Sequence, residues 1–141
     1  MNPVEEQMGQ IKIVVRYIDG RVSKGCTHDF FPNKDRFHLF PPNGSGKPCV
    51  EISLKDLKAV FLVRDFVGDP GYGERKKYVD GENPFGRKLE VTFQDGEVMV
   101  GSTLGYGRNR PGFFLLPADP KSNNVRIFVV ASAVKQVRQL G

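Results

Sequence analysis

Apolar and polar residues alternate along two stretches of this chain, and the same kind of turn follows each stretch. Residues 11–17 place Ile, Ile, Val and Tyr at every second position, and Asp19-Gly20 follows them. Residues 89–93 show the same alternation before Asp95-Gly96. Alternation with a period of two is typical of a half-buried strand, and an Asp-Gly pair favours a two-residue hairpin turn. Both stretches therefore predict a β-hairpin.

The two hairpins belong to an internal duplication. Residues 15–41 align without a gap on residues 91–117, and the match continues after one inserted residue. Self-similarity of this length indicates two copies of one structural unit. The identical pairs include Val15 and Val91, Asp19 and Asp95, Gly25 and Gly101, Phe37 and Phe113, and Leu39 and Leu115.

Each copy predicts five short strands and one 3₁₀ turn before the last strand. A glycine inside the second strand, Gly25 or Gly101, favours a bend or bulge that lets a short sheet curl over itself. The predicted fold class is all-β, with two tandem five-stranded small barrels packed as one body. The later strands are expected at 37–40, 49–53 and 58–63 in the first copy, and at 113–116, 125–130 and 135–140 in the second.

The duplication divides the chain into four segments. These are an N-terminal tail or short helical turn at 1–10, barrel repeats at 11–63 and 87–141, and a linker at 64–86. The linker is rich in Gly, Pro and charge, but its aromatic residues are costly to leave in water. We expect it to be ordered and packed, with a groove beside Tyr72 and Tyr78 as a second candidate site. Its aromatic residues are Phe66, Tyr72, Tyr78 and Phe85.

Composition narrows the setting of the protein. No apolar run approaches the roughly 20 residues that a membrane-spanning helix needs, and the acidic start lacks a hydrophobic signal core. These features predict a cytoplasmic protein with no membrane association. The net charge of +5 is spread along the chain, as on the wet faces of strands, and is not gathered in one block. We predict no cofactor.

A basic tip lies between the second and third strands of each repeat. Arg108 and Arg110 form it in repeat 2, Lys34 and Arg36 form it in repeat 1, and Tyr106 lies beside the repeat 2 tip. Basic groups near flat rings are what single-stranded RNA or a nucleotide uses. The alternative interpretation is that the aromatic residues are core and the basic groups are solvated. This loop is nevertheless the first choice for a ligand site.

The sequence also offers residues for a metal site and for a catalytic site to be considered. Cys26, His28, His38 and Cys49 are a candidate zinc set, but their spacing does not form the tight knuckle of structural zinc sites. We therefore predict no metal site, with reduced cysteines and exposed histidines. The chain has no Ser-His-acid order, nucleophile elbow or paired carboxylates on a known scaffold, which predicts a non-catalytic protein.

Residues 19–40, with the glycine in the bent strand and an aromatic residue before the next strand, resemble the first Sm signature. The resemblance to Sm-like and Src-homology-3-like small barrels covers each repeat. An Ile-Arg-Gly-type triplet, the second Sm signature, is absent from residues 52–57 and 129–134.

The whole chain is also similar to an uncharacterised bacterial group that we associate loosely with PilZ-type signalling proteins. That resemblance implies a signalling setting. No Arg-x-x-x-Arg precedes a strand, so cyclic-dinucleotide binding is not predicted.

These features predict a non-catalytic binding or adaptor protein in bacterial signalling or regulation, with a protein segment as its expected partner. An RNA-binding Sm-like protein is the alternative. RNA binding through several phosphates would weaken steeply with salt, which separates the two predictions.

Overall fold

The computed structural model describes residues 10–42, 46–68, 71–79, 81–82, 84, 86–106 and 110–140. The tail at 1–9, Phe85 and Arg108 lie outside the described residues. Within the described ranges, no helix has the length and apolar character needed to cross a membrane. The strands are β1 Ile11–Tyr17, β2 Val22–Thr27, β3 Arg36–Leu39, β4 Val50–Ser53, β5 Leu57–Val63, β6 Arg87–Phe93, β7 Val98–Thr103, β8 Gly112–Pro117, β9 Asn124–Val130 and β10 Val134–Gln139.

The predicted hairpins and 3₁₀ turns are confirmed. β1 and β2 form an antiparallel hairpin, as do β6 and β7, and each repeat has one 3₁₀ turn before its fifth strand, at Leu54–Asp56 and at Ala131–Ala133. The predicted two-residue turns are wrong, because each hairpin has a three-residue loop, at 18–20 and at 94–96, and no described residue other than glycine has a positive φ angle. Gly20 and Gly96 end these loops with φ angles of 96° and 92°, which side chains disfavour.

Strand order is the same in the two repeats. In repeat 2 the order is fifth, first, second, third, fourth, as β10-β6-β7-β8-β9. In repeat 1 the order is β5-β1-β2, and a single bridge between Cys26 and Phe40 leads on to the β3-β4 pair. The all-β prediction is confirmed. The described pairings form an open sheet and close neither repeat into a barrel, so the two-barrel arrangement stays a prediction.

The repeats are joined by strand pairing between β5 of repeat 1 and β9 of repeat 2, from Ala59 opposite Val129 to Leu62 opposite Arg126. Every residue of β5 is buried. Its side chains point alternately to two cores: Val60 and Leu62 enter the core of repeat 1, while Ala59 and Phe61 enter the core of repeat 2. Strand β9 alternates in the same way. This pair is therefore a shared wall between the two cores.

Phe37 and Leu39 lie in the first core, and Phe113 and Leu115 lie in the second. This confirms that the duplicated third strands supply equivalent core positions. All four side chains are buried.

Gly25 and Gly101 do not form the bulges that the sequence allowed for. The pairing of β1 with β2 runs without a shift through Gly25, and that of β6 with β7 runs without a shift through Gly101, so neither glycine marks a bulge. A Cβ atom at Gly25 would lie 2.4 Å from the Phe40 carbonyl oxygen, and one at Gly101 would lie 2.3 Å from that of Leu116. Both glycines therefore let the third strand approach the second.

A charged cluster also holds the repeats together. The Lys58 ammonium of β5 binds Asp95 at 2.7 Å and also binds Glu97, both in the first hairpin of repeat 2. Burial disfavours the charged form of Lys58, but the hydrogen bonds and charges of the two carboxylates raise its pKa above the usual value. Arg16 adds a second contact to Glu97 at 3.5 Å.

The described part of the linker contacts the β8-β9 connection of repeat 2. The Tyr72 hydroxyl donates to Asp119 at 2.6 Å, and the Arg75 guanidinium binds Glu82 at 2.6 and 2.9 Å. Hydrogen bonds from Tyr72 and from backbone amides, Arg75 among them, lower the pKa of Asp119 to about 2, and Arg75 lowers the pKa of Glu82 to about 2. The Ser122 hydroxyl also binds Glu74 at 2.6 Å.

Candidate functional site

A groove runs along the junction of the two repeats, and we call it the junction groove. Its cavity is about 480 Å³. Strands β7, β8 and β9 of repeat 2 form its floor and walls, and Pro32 and Asn33 from the β2-β3 loop of repeat 1 form its far side. Both repeats therefore contribute to the lining of the groove.

Aromatic rings form the floor. Phe114 and Phe128 are cross-strand neighbours in β8 and β9, and their ring centroids are 5.2 Å apart. Phe30 of repeat 1 packs edge-on against both rings, at 6.4 and 5.4 Å, and against Phe37 at 5.0 Å. Such edge-to-face packing fixes ring positions and holds the β2-β3 loop of repeat 1 over repeat 2.

Two guanidinium groups line the groove. The Arg126 guanidinium lies 4.4 Å from the centroid of the Phe114 ring, a cation–π contact, and Arg110 also lines the groove. No salt bridge joins either group to a carboxylate within the described part of the chain. Leu104 stands at the rim with 69% of its surface exposed. The groove thus combines apolar surface with positive charge that is not neutralised there.

A second hollow of about 420 Å³ adjoins the groove at Arg110. It shares Asn33, Arg110 and Pro111 with the first. Lys34 and Lys55 line this second hollow, and we call it the basic hollow. We call the first hollow, with Phe114 and Phe128 as its floor, the apolar hollow.

Of the residues predicted for the basic tip, the structure brings Arg110 and Lys34 together in the basic hollow. Arg36 lines neither hollow and instead binds Glu51 at 2.8 Å. Tyr106 packs its ring edge-on against Phe113 at 5.0 Å and is partly exposed beside the groove. Arg108 lies outside the described residues.

The two tyrosines of the predicted linker groove, Tyr72 and Tyr78, lie in different surroundings. The Tyr72 hydroxyl is engaged by Asp119, as described above. Tyr78 lines two smaller hollows of about 360 and 370 Å³ on repeat 2, with the Lys88 ammonium 5.1 Å from its ring centroid. Burial raises the pKa of the Tyr78 hydroxyl. Tyr72 does not line these hollows, so the two tyrosines do not share one site.

The four candidate zinc residues make different contacts and do not form one cluster. His28 stacks on Phe40 at 5.0 Å, and His38 Nδ1 lies 2.6 Å from Asp29. Cys26 and Cys49 are free thiols. Across the described residues, no group of three or more His, Cys, Asp or Glu side chains could hold a metal ion.

Sequence reasoning missed Arg126, Phe114 and Phe128. These residues become neighbours through β8-β9 pairing, which the sequence does not reveal. A signal was present nonetheless, because Phe114 and Phe128 stand where repeat 1 has His38 and Glu51, and large apolar residues are unexpected on a solvated face.

The lining of the junction groove is mostly apolar, with two guanidinium groups and the hydroxyl side chains of Ser102 and Thr103. What the lining offers is apolar contact and guanidinium donors, which can hold an apolar group and an anion.

A family model for DUF6982, a family of unknown function, matches residues 9–141. No curated protein and no solved structure matches the chain. Since the family match spans both repeats and the linker between them, this chain belongs to DUF6982.

Proposed function

We propose that this chain is a non-catalytic binding or adaptor protein that holds a segment of a partner protein in the junction groove. The observation that carries the proposal is an apolar floor flanked by guanidinium groups with no salt bridge to a described carboxylate. Ligand sites are typically concave, mostly apolar and roughly 300–1,000 Å³ in volume, with a few polar groups that fix orientation. A groove of about 480 Å³ with this lining matches that description.

We also propose that each repeat is a small barrel of Sm-like or Src-homology-3-like type. The support is the shared strand order, fifth, first, second, third, fourth, together with the close approach of second and third strands at Gly25 and Gly101. The proposed setting is cytoplasmic signalling or regulation in bacteria, and its support is the family resemblance of the sequence.

A peptide fits the groove better than RNA because few ring faces are free for base stacking. Arg126 covers one face of Phe114, and Phe128, which packs edge-to-face with Phe30 and Phe114, is fully buried. Proteins that bind single strands need open aromatic faces on which bases stack. Apolar side chains of a peptide need only surface area and a matching shape.

The test is a peptide array probed with labelled protein, comparing Leu104→Glu with Ile18→Glu. Both residues are exposed, at 69% and 56%, but only Leu104 lines the groove. A charge at the groove rim opposes burial of an apolar side chain, so we expect Leu104→Glu to lose the array signal and Ile18→Glu to keep it. Equal signals from the two variants, or no signal from the unaltered chain, would contradict the proposal.

RNA remains the second candidate because Lys34, Lys55, Arg110 and Arg126 have no salt bridges within the described part of the chain. A gel shift with single-stranded oligouridine tests it. RNA binding should appear at low salt and fall steeply as salt rises. No shift at low salt removes this alternative.

A further inference from the structure

The charge of the two hollows is strongly one-sided. Arg126 lines the apolar hollow, Arg110 lies between the hollows, and Lys34 and Lys55 line the basic hollow. Against these four cations the linings contain one carboxylate, Asp35. A field of one sign in a concave site attracts ligands of the opposite charge and repels those of like charge.

The apolar hollow is suited to a large side chain. Its floor is formed by Phe114 and Phe128, and its rim carries Leu104. An aromatic or leucine side chain buried there would be removed from water on one side and would meet the Arg126 guanidinium on the other. Aromatic side chains bury on the order of 150–250 Å² each, which makes them the usual anchors of such contacts.

The two hollows adjoin each other, which sets the order of the ligand's groups. They share Asn33, Arg110 and Pro111, so a chain leaving the apolar hollow passes Arg110 before it reaches Lys34 and Lys55. The ammonium of Lys34 lies 4.9 Å from the Phe31 ring centroid, which holds it at this end of the groove.

We propose that the segment bound by this chain is an acidic peptide with one aromatic or leucine anchor. The anchor fills the apolar hollow, and neighbouring Asp or Glu carboxylates lie beside Arg110, Lys34 and Lys55. This inference rests on the proposed function, since it names the chemistry of the ligand that the junction groove holds.

The experiment measures fluorescence anisotropy with three labelled probes: a peptide with one Phe followed by three Glu, and the same peptide with Gln or with Lys in place of Glu. We expect the Glu peptide to bind most tightly, the Gln peptide more weakly and the Lys peptide least. High salt should bring the Glu and Gln peptides closer together, because exposed charges are screened.

Two double variants with the same change in net charge locate the effect. Lys34→Glu with Lys55→Glu alters the basic hollow, whereas Lys121→Glu with Lys135→Glu alters exposed lysines that line neither hollow. We expect the first pair to weaken the Glu peptide by about fivefold or more, and the second pair to change it by less than about twofold. The Gln peptide should respond weakly to both.

The outcomes separate the two proposals. Glu and Gln peptides that bind equally, or equal effects of the two double variants, would overturn the acidic preference while leaving peptide binding in place. If no probe binds and the peptide array is also blank, the proposed function fails with it.

Discussion

The same cross-strand position carries opposite chemistry in the two repeats. In repeat 2 the cross-strand pair on the third and fourth strands is Phe114 and Phe128; in repeat 1 it is His38 and Glu51. In repeat 1, His38 Nε2 lies 3.9 Å from Glu51 Oε2, and His38 Nδ1 also contacts Asp29. Burial of Asp29 opposes its ionisation, but hydrogen bonds from His38 and Thr27 lower its pKa overall. One face is an apolar floor, and the other is a surface of ion pairs.

The loops before the third strands diverge in a related way. Phe30 packs edge-on against Phe37, and its counterpart Tyr106 packs against Phe113, with 5.0 Å between centroids in both cases. Phe30 also reaches the rings of the other repeat, whereas the ring contacts described for Tyr106 stay within its own repeat. The two repeats therefore share the core contact, and among the described ring contacts only Phe30 crosses the junction, beside the groove.

The largest losses of stability should come from substitutions at the core positions that the two repeats share. Phe37→Ala and Phe113→Ala each remove a buried ring from equivalent positions, and each should lower the free energy of unfolding by about 3–5 kcal/mol. Because β5 and β9 are part of both cores, both variants should shift a single transition in a denaturant melt. A loss below about 1 kcal/mol, or two separate transitions, would contradict the shared wall.

A smaller effect is expected from the charged cluster between the repeats. Lys58→Met removes an ammonium that is 9% exposed and bound to two carboxylates, and should cost about 1.5–3 kcal/mol in a denaturant melt. The matched control is Lys135→Met, the equivalent position on β10, which is exposed and should change stability by less than about 0.5 kcal/mol. Equal costs would mean that the junction is not held by Lys58.

The linker docks on repeat 2, and this should appear as a dependence on pH. The pKa of Asp119 is about 2 in the folded chain and near 3.8 without its partners. Its stabilisation is therefore complete above about pH 4 to 5 and is lost as the pH falls toward 2. The melting temperature of the Asp119→Asn variant should therefore fall less between about pH 5 and pH 2 than that of the unaltered chain.

The control for that experiment is Asp56→Asn, which removes an exposed carboxylate of repeat 1. Trypsin gives a second measurement, because Arg75, Lys76 and Lys77 lie in the linker. The unaltered chain should resist cleavage there at neutral pH, and Asp119→Asn should be cut faster. Rapid cleavage of the unaltered chain into two stable halves would contradict the docked linker.

The smallest effect is expected on the polar face of repeat 1. Glu51→Gln weakens exposed contacts with Arg36 and His38, and exposed ion pairs contribute about 0–1 kcal/mol. Thermal unfolding should therefore change little. A loss above about 2 kcal/mol would mean that this face is part of the structural core and is not simply a solvated surface.

The strands and turns could be predicted because their signals are local. Alternation and Asp-Gly turns set each hairpin, and the observed strands lie within about a residue or two of the expected ones at most ends. The pairing of β5 with β9 was not predicted, because it joins residues of different repeats. Its signal was composition: Leu57–Val63 is apolar at nearly every position, as in strands buried on both faces, while Val134–Gln139 is mostly polar.

The candidate site was predicted in part for the same reason. Arg110 and Lys34 were found from the basic loops that carry them. Arg126 lies on a strand, and only the packing of the repeats brings it to the groove. Arg36 was expected in the site but binds Glu51, since a cross-strand carboxylate cannot be recognised before the register of β3 and β4 is known.

The most direct test of the account is a backbone amide NMR titration with the peptide of one Phe and three Glu. It compares the two equivalent faces in one sample. The account predicts that the largest shift changes occur at Leu104, Arg110 and Phe114, with little change at His28, His38 and Glu51. Equal changes on the two faces, or the largest changes on the face of repeat 1, would contradict the assignment of binding to the junction groove.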